Sequence, residues 1–133
     1  MNNARLRYYR LWLTLGWGLV GLVVYLSLAA LPKDLAMPFP YADKVSHLLT
    51  YMLLAGWFGQ IEKRWAKRLL YAAFFILMGV ALEYLQGLGG VRHRETADML
   101  ANATGVGIGL LLSTTLLRGV LAAIDRRLAK GRS

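Results

Sequence analysis

Residues 11–31 have the sequence LWLTLGWGLVGLVVYLSLAAL, which contains no charged side chain. A helix rises about 1.5 Å per residue, so a helix of this length spans the roughly 30 Å hydrocarbon core of a bilayer. The stretch is followed directly by Pro32 and Lys33. It therefore predicts a transmembrane helix.

A basic leader precedes this stretch, which raises the alternative of a cleaved signal peptide. Arg5, Arg7 and Arg10 form the leader, and the segment 27–29 (Ser-Leu-Ala) resembles a small-residue cleavage site. The apolar core of a signal peptide is usually about 7 to 15 residues long. The longer charge-free stretch favours a retained membrane span.

The rest of the chain repeats this pattern. Of the 133 residues, 57% are hydrophobic and 17% are charged, and the apolar residues lie in long blocks. Further spans are predicted at about 45–61, 69–88 and 97–117, and no strand alternation is evident. The sequence thus predicts one all-α domain, 1–133, an integral membrane bundle of four transmembrane helices. The tail 118–130 fits either a short amphipathic helix on the membrane surface or a solvated tail.

Charge distribution predicts the orientation of the bundle, because short cytoplasmic loops are enriched in Lys and Arg. Twelve of the 16 cations fall in the leader, the loop between the second and third blocks, and the tail. The other four are Lys33, Lys44, Arg92 and Arg94. This alternation places both termini in the cytoplasm and the polar ends of the last three helices outside. The same distribution argues against nucleic acid as the target of the formal charge of +9.

Polar residues share helix faces in three of the blocks. At about 100° per residue, Lys44, His47 and Tyr51 fall in one arc, with Asp43 at its edge. Glu83 and Gln86 share a face of the third block, and Asp98, Asn102, Gly105 and Gly109 form one stripe on the fourth. The two glycines are predicted to let helices pack closely.

These polar stripes are expected to converge. An ionisable side chain that faces lipid costs on the order of 3 kcal/mol near the bilayer centre. If the stripes face one another, Glu83 and Asp98 can meet Lys44, Arg92 or Arg94. We therefore predict a polar cluster one to two turns below the outer interface. The four tryptophans are expected mostly at interfaces or in contact with lipid.

A metal or cofactor is not expected in this cluster. His47, Glu83 and Asp98 could form a zinc site in principle, but the chain has no His-Glu-x-x-His helix and no cysteine. His93 lies between two arginines, whose charge disfavours a cation.

Taken together, the motifs resemble the VanZ-like family of small bacterial membrane proteins, named after a member that lowers susceptibility to teicoplanin. The resemblance covers residues 43–109. It implies that the signature positions are Asp43, Lys44, His47, Tyr51, Glu83, Gln86, Arg92, Asp98 and Asn102. Arg92 fits the family spacing before the aspartate, with Arg94 as the alternative. The family usually has a more hydrophobic or Pro-containing run after its arginine, where this chain has His93, Arg94 and Glu95.

The resemblance implies a multi-pass protein of the bacterial cytoplasmic membrane, and it supplies no reaction. We expect the outward cluster to bind an anionic envelope component, such as a lipid-linked phosphate or a peptidoglycan precursor, through Lys44, Arg92 and His47. The alternative is a membrane enzyme that uses His47 with Glu83 or Asp98 on such a lipid. An ion or proton pathway is a third hypothesis, which the apolar inner halves of the helices disfavour.

Overall fold

Apolar residues at helical spacing form five α-helices within residues 5–29, 41–90 and 95–132, the part of the chain described by the computed structural model. The helices are α1 (Tyr9–Leu28), α2 (Ala42–Ile61), α3 (Trp65–Leu88), α4 (Thr96–Thr114) and α5 (Val120–Lys130). These ranges contain no strand, so the all-α prediction is confirmed for them.

The predicted ends of the first and fourth blocks differ from the helices. α1 ends at Leu28, before the predicted limit at 31, and residues 30–40 lie outside the described chain. The prediction that the fourth helix continues to Leu117 is wrong, because α4 ends at Thr114. The Thr115 hydroxyl donates to Leu111 O at 2.6 Å, and the chain then turns into α5 at Gly119, whose φ is +82°.

The residue pairs in contact show that α2 runs antiparallel to α3 and parallel to α4, and α2 contacts each of the other helices. Its most extensive contact is with α4. A Cβ atom built on Gly105 would collide with Leu48 O, and one built on Gly109 would collide with Met52 O. The two backbones therefore approach more closely than any larger residue at these positions permits.

An aromatic core lies among α1, α2 and α3. Phe58 and Phe75 are fully buried, and their ring centroids are 5.4 Å apart. Tyr71 stacks on Phe58 at 4.5 Å, and Trp17 meets Phe58 edge to face. This packing fixes the positions of α2 and α3, which carry six of the nine predicted signature residues.

Two of the helices in the described residues are long and apolar enough to cross a membrane. They are α1, with a mean hydropathy of 1.9, and α3, with 1.7. α2 and α4 do not reach that level, because α2 begins with Asp43, Lys44 and His47 and α4 carries Asp98 and Asn102. Length and hydropathy thus support two of the four predicted spans.

α5 packs against the start of α1 through a buried carboxylate, Asp125. Its oxygens accept hydrogen bonds from Arg7 N at 2.6 Å, Tyr8 N at 3.0 Å and Trp12 Nε1 at 2.8 Å. Burial alone would raise the pKa of this carboxyl, but the three hydrogen bonds outweigh burial and lower the pKa below its usual value. Trp12 is itself buried in this contact.

We expect Asp125→Asn to lower the stability at pH 7 by on the order of 1–3 kcal/mol, since it weakens charge-assisted hydrogen bonds. Because the folded-state pKa is lowered, the contribution of the carboxylate is present above the unfolded pKa of about 3.9 and is lost as the pH falls through the folded value. Thermal unfolding in detergent at a series of pH values measures the effect. The difference between wild type and variant should shrink toward pH 3, and a constant difference would contradict this account.

Candidate functional site at the polar end of the bundle

The Lys44 ammonium joins three carboxylates from two parts of the chain. Its Nζ lies 2.8 Å from Asp43 Oδ2 and 2.7 Å from Asp98 Oδ1, and it also donates to Glu95 Oε2. A lysine ammonium has three donor hydrogens, so three acceptors satisfy it. This arrangement ties the beginning of α2 to the beginning of α4.

The three carboxylates differ strongly in exposure. The side chain of Asp98 is 0% exposed, whereas those of Asp43 and Glu95 are 39% and 49% exposed. Water therefore solvates Asp43 and Glu95, and their ion pairs with Lys44 are weak individually. The pair with Asp98 is the fixed part of the arrangement.

His47 lies one turn along α2 and faces the same α4 residues. Its Nδ1 is 2.9 Å from Asn102 Oδ1, and its Nε2 is 3.8 Å from Asp98 Oδ2. With Asn102 Oδ1 as the acceptor, Nδ1 is the donor in this contact, and Nε2 faces the Asp98 carboxylate. We call Asp43, Lys44, His47, Glu95, Asp98 and Asn102 the polar cluster.

A deeper layer lies behind the polar cluster, around Gly79 of α3. A Cβ atom on Gly79 would lie 2.9 Å from Asn102 Nδ2 and 3.3 Å from the Tyr51 ring, so a larger residue there would require these side chains to shift. Tyr51 and Asn102 are both buried. Glu83, one turn along α3, is 1% exposed. The sequence-predicted residues Tyr51, Glu83 and Asn102 thus lie in the interior of the bundle.

The remaining predicted residues lie elsewhere. Gln86 is buried, but its Nε2 donates to Ser27 O of α1 at 2.7 Å, which makes it a link between α1 and α3. Arg92 and Arg94 lie outside the described residues.

Glu95 is the member of the polar cluster that the sequence did not predict. It precedes α4 directly, as the residue before Thr96. Helical spacing relates residues on one helix, and Glu95 meets Lys44 only because the two helix starts are adjacent in space. Spacing along the sequence therefore gave no signal for Glu95. The structure shows its role, because three carboxylates surround the Lys44 ammonium.

Asp43, Glu95 and Asp98 also resemble a cation site, because their ligand oxygens lie within 4.8 Å of one another. Lys44 bonds to all three, so its ammonium takes the place that a metal ion would need. Chemically, the cluster offers one ammonium with exchangeable partners and one imidazole held between an amide and a carboxylate.

No family model, curated protein or solved structure matches this chain.

Proposed function

We propose that the chain is a VanZ-like multi-pass protein of the bacterial cytoplasmic membrane whose polar cluster binds an anionic envelope component. In this proposal α1 to α4 all cross the membrane, both termini are cytoplasmic, and the cluster faces outward. The observation that carries the proposal is the pairing of fully buried Asp98 with Lys44, from separate helices of a chain that is 57% hydrophobic. Such a pair costs desolvation energy that apolar packing would avoid, which favours a functional role.

The low hydropathy of α2 and α4 is compatible with four crossings. Each of these helices turns its polar residues toward the other, as the contacts of Lys44 with Asp98 and of His47 with Asn102 indicate. Polar side chains that hydrogen-bond between helices can be accommodated within a membrane bundle. The mean hydropathy of a helix counts polar residues that face another helix in the same way as those that face lipid. It therefore underestimates how well such helices can cross a membrane.

An anionic ligand would bind by replacing Glu95 on the Lys44 ammonium. Glu95 is the most exposed of the three carboxylates and its solvated ion pair is the easiest to exchange. A phosphate oxygen would then accept the same charge-assisted hydrogen bond, while Asp98 keeps Lys44 in position. Lipid-linked phosphates and peptidoglycan precursors carry such groups at the membrane surface, and a role in teicoplanin-type resistance would follow from binding them.

This exchange predicts that Glu95→Gln strengthens the binding of a polyprenyl phosphate. Removing the competing carboxylate should lower the Kd by about two- to fivefold. This change corresponds to the free energy of an exposed ion pair, about 0.5–1 kcal/mol. Native mass spectrometry of the full chain in mild detergent, titrated with polyprenyl phosphate or the matching polyprenol, measures it.

Two variants make the result specific. Glu95→Asp keeps the carboxylate and should bind close to wild type, whereas the double variant Lys44→Met with Asp98→Asn lacks the ammonium and should lose the preference for phosphate over alcohol. Weaker phosphate binding by Glu95→Gln would show that Glu95 supports the bound phosphate and does not compete with it, which would contradict the exchange. Equal binding of phosphate and alcohol by wild type would overturn the proposal.

The position of His47 favours a second candidate, an enzyme acting on the same lipid. Asn102 fixes one ring nitrogen, and Asp98 lies 3.8 Å from the other, so the imidazole could serve as a general base. Conversion of the added lipid by wild type, lost in folded His47→Gln, would support this candidate. An unchanged lipid mass during the titration would count against it.

A further inference from the structure

An apolar cavity of about 270 Å³ lies at the opposite end of the bundle from the polar cluster, between α2, α4 and α5. Its walls include Met52, Trp57, Leu112 and Ile124. Gln60 is the polar residue in its lining. The amide oxygen of Gln60 accepts a hydrogen bond from Leu121 N at 3.2 Å, so its Nε2 group is the donor left for a ligand.

One apolar face of α5 lines this cavity, and the last residue on that face is the cation Arg127. At about 100° per residue, Val120 and Ile124 share a face, and both line the cavity. Arg127 lies three residues beyond Ile124 and falls on the same face, whereas Arg126 falls on the opposite one. An acyl chain in the cavity would therefore place its headgroup near Arg127.

The charges at this end favour an anionic headgroup. Of the described residues, the acids located here are Glu62 and Asp125, and both are buried. Glu62 accepts from the Tyr9 hydroxyl at 2.7 Å, and Asp125 accepts from Arg7, Tyr8 and Trp12. The surrounding cations on α5 and its preceding turn, Arg118, Arg126, Arg127 and Lys130, are exposed.

We propose that this cavity holds one acyl chain of an anionic phospholipid, with the phosphate bound by Arg127 and the ester region by Gln60. The occupant is a bilayer lipid because the cavity is apolar, open at the side and adjacent to a basic amphipathic helix. Its anionic character follows from Arg127 and the lack of an exposed acid among the described residues at this end. The proposal rests on the membrane placement proposed above, and it concerns a different ligand at a different end of the molecule.

Trp57 lines the cavity and reports its occupancy directly. The full chain is reconstituted in phosphatidylcholine vesicles that contain a small fraction of lipid with brominated acyl chains, as either phosphatidylglycerol or phosphatidylcholine. Bromine quenches tryptophan fluorescence on contact, and the signal of a Trp57→Phe variant is subtracted to isolate Trp57. We expect stronger quenching by the brominated phosphatidylglycerol.

Two arginine variants test the headgroup contact. Arg127→Gln should reduce the preference for phosphatidylglycerol about fivefold, because this factor corresponds to the attraction between one cation and an anionic membrane surface. Arg126→Gln removes the same charge from the opposite face and should leave the preference nearly unchanged. Equal losses in both variants would show diffuse attraction to the surface and would overturn the site.

Val120→Phe tests whether the chain enters the cavity. Val120 lines the cavity and is 43% exposed, so a larger side chain there can occupy the cavity without overpacking the core. Quenching by both brominated lipids should fall in this variant, and unchanged quenching would overturn the proposal. Failure of wild type to enter vesicles would instead contradict the membrane placement, which distinguishes the two proposals.

Discussion

Replacing Gly105 with alanine is expected to destabilise the chain by about 1–3 kcal/mol, because the new methyl group has no space between α4 and α2. Its Cβ atom would collide with Leu48 O and would lie 3.1 Å from Met52 N. Both atoms belong to the backbone of α2, so relief requires the helices to separate. Thermal unfolding of the purified variant in mild detergent measures the loss.

Gly107 provides the matched control on the same helix. A Cβ atom there meets nothing within 4 Å, so Gly107→Ala should be neutral or stabilising by up to about 1 kcal/mol through its better helix propensity. Equal effects of the two substitutions would contradict the close approach of α2 and α4. Gly105→Ala should also weaken the ligand binding that we propose for the polar cluster, since α4 carries Asp98 and Asn102.

Local periodicity predicted which residues share a helix face. Lys44 and His47 on α2, and Asp98 and Asn102 on α4, lie where spacing of three and four residues put them, because the helical repeat is a property of the chain itself. The small residues at 105 and 109 were likewise recognisable as a packing stripe. What these faces contact was inferred from the cost of exposing charge to lipid.

Features that depend on tertiary contacts were not predictable in this way. Asp125 is one acid among basic residues in the tail, and its buried role depends on how α5 folds back against Arg7 and Trp12. The end of α4 at Thr114 was missed because the sequence stays uncharged beyond Ser113, Thr114 and Thr115, and Leu116 and Leu117 resume the apolar pattern. Gln86 shares a face with Glu83, yet α1 supplies its partner.

The Lys44–Asp98 pair should dominate the stability of the polar end. We expect Lys44→Met to destabilise the chain by about 3 kcal/mol, because it removes the ammonium bonded to a carboxylate that is 0% exposed. Asp98→Asn should cost less, since Lys44 keeps Asp43 and Glu95 as partners. Chemical unfolding of each single variant and of the double variant gives the coupling energy.

The double variant decides between a specific pair and two independent contributions. The Lys44→Met variant leaves the buried Asp98 carboxylate without the Lys44 ammonium. If this buried charge causes the loss of stability, adding Asp98→Asn to Lys44→Met should restore most of the stability. Additive losses would mean that the two side chains act separately and that Lys44 contributes mainly through Asp43 and Glu95. A rescued double variant would be a folded protein without the ammonium that we propose binds the ligand. This variant should unfold at nearly the wild-type denaturant concentration and still fail to distinguish a polyprenyl phosphate from its alcohol. The two results together would show that this residue pair affects ligand binding independently of stability.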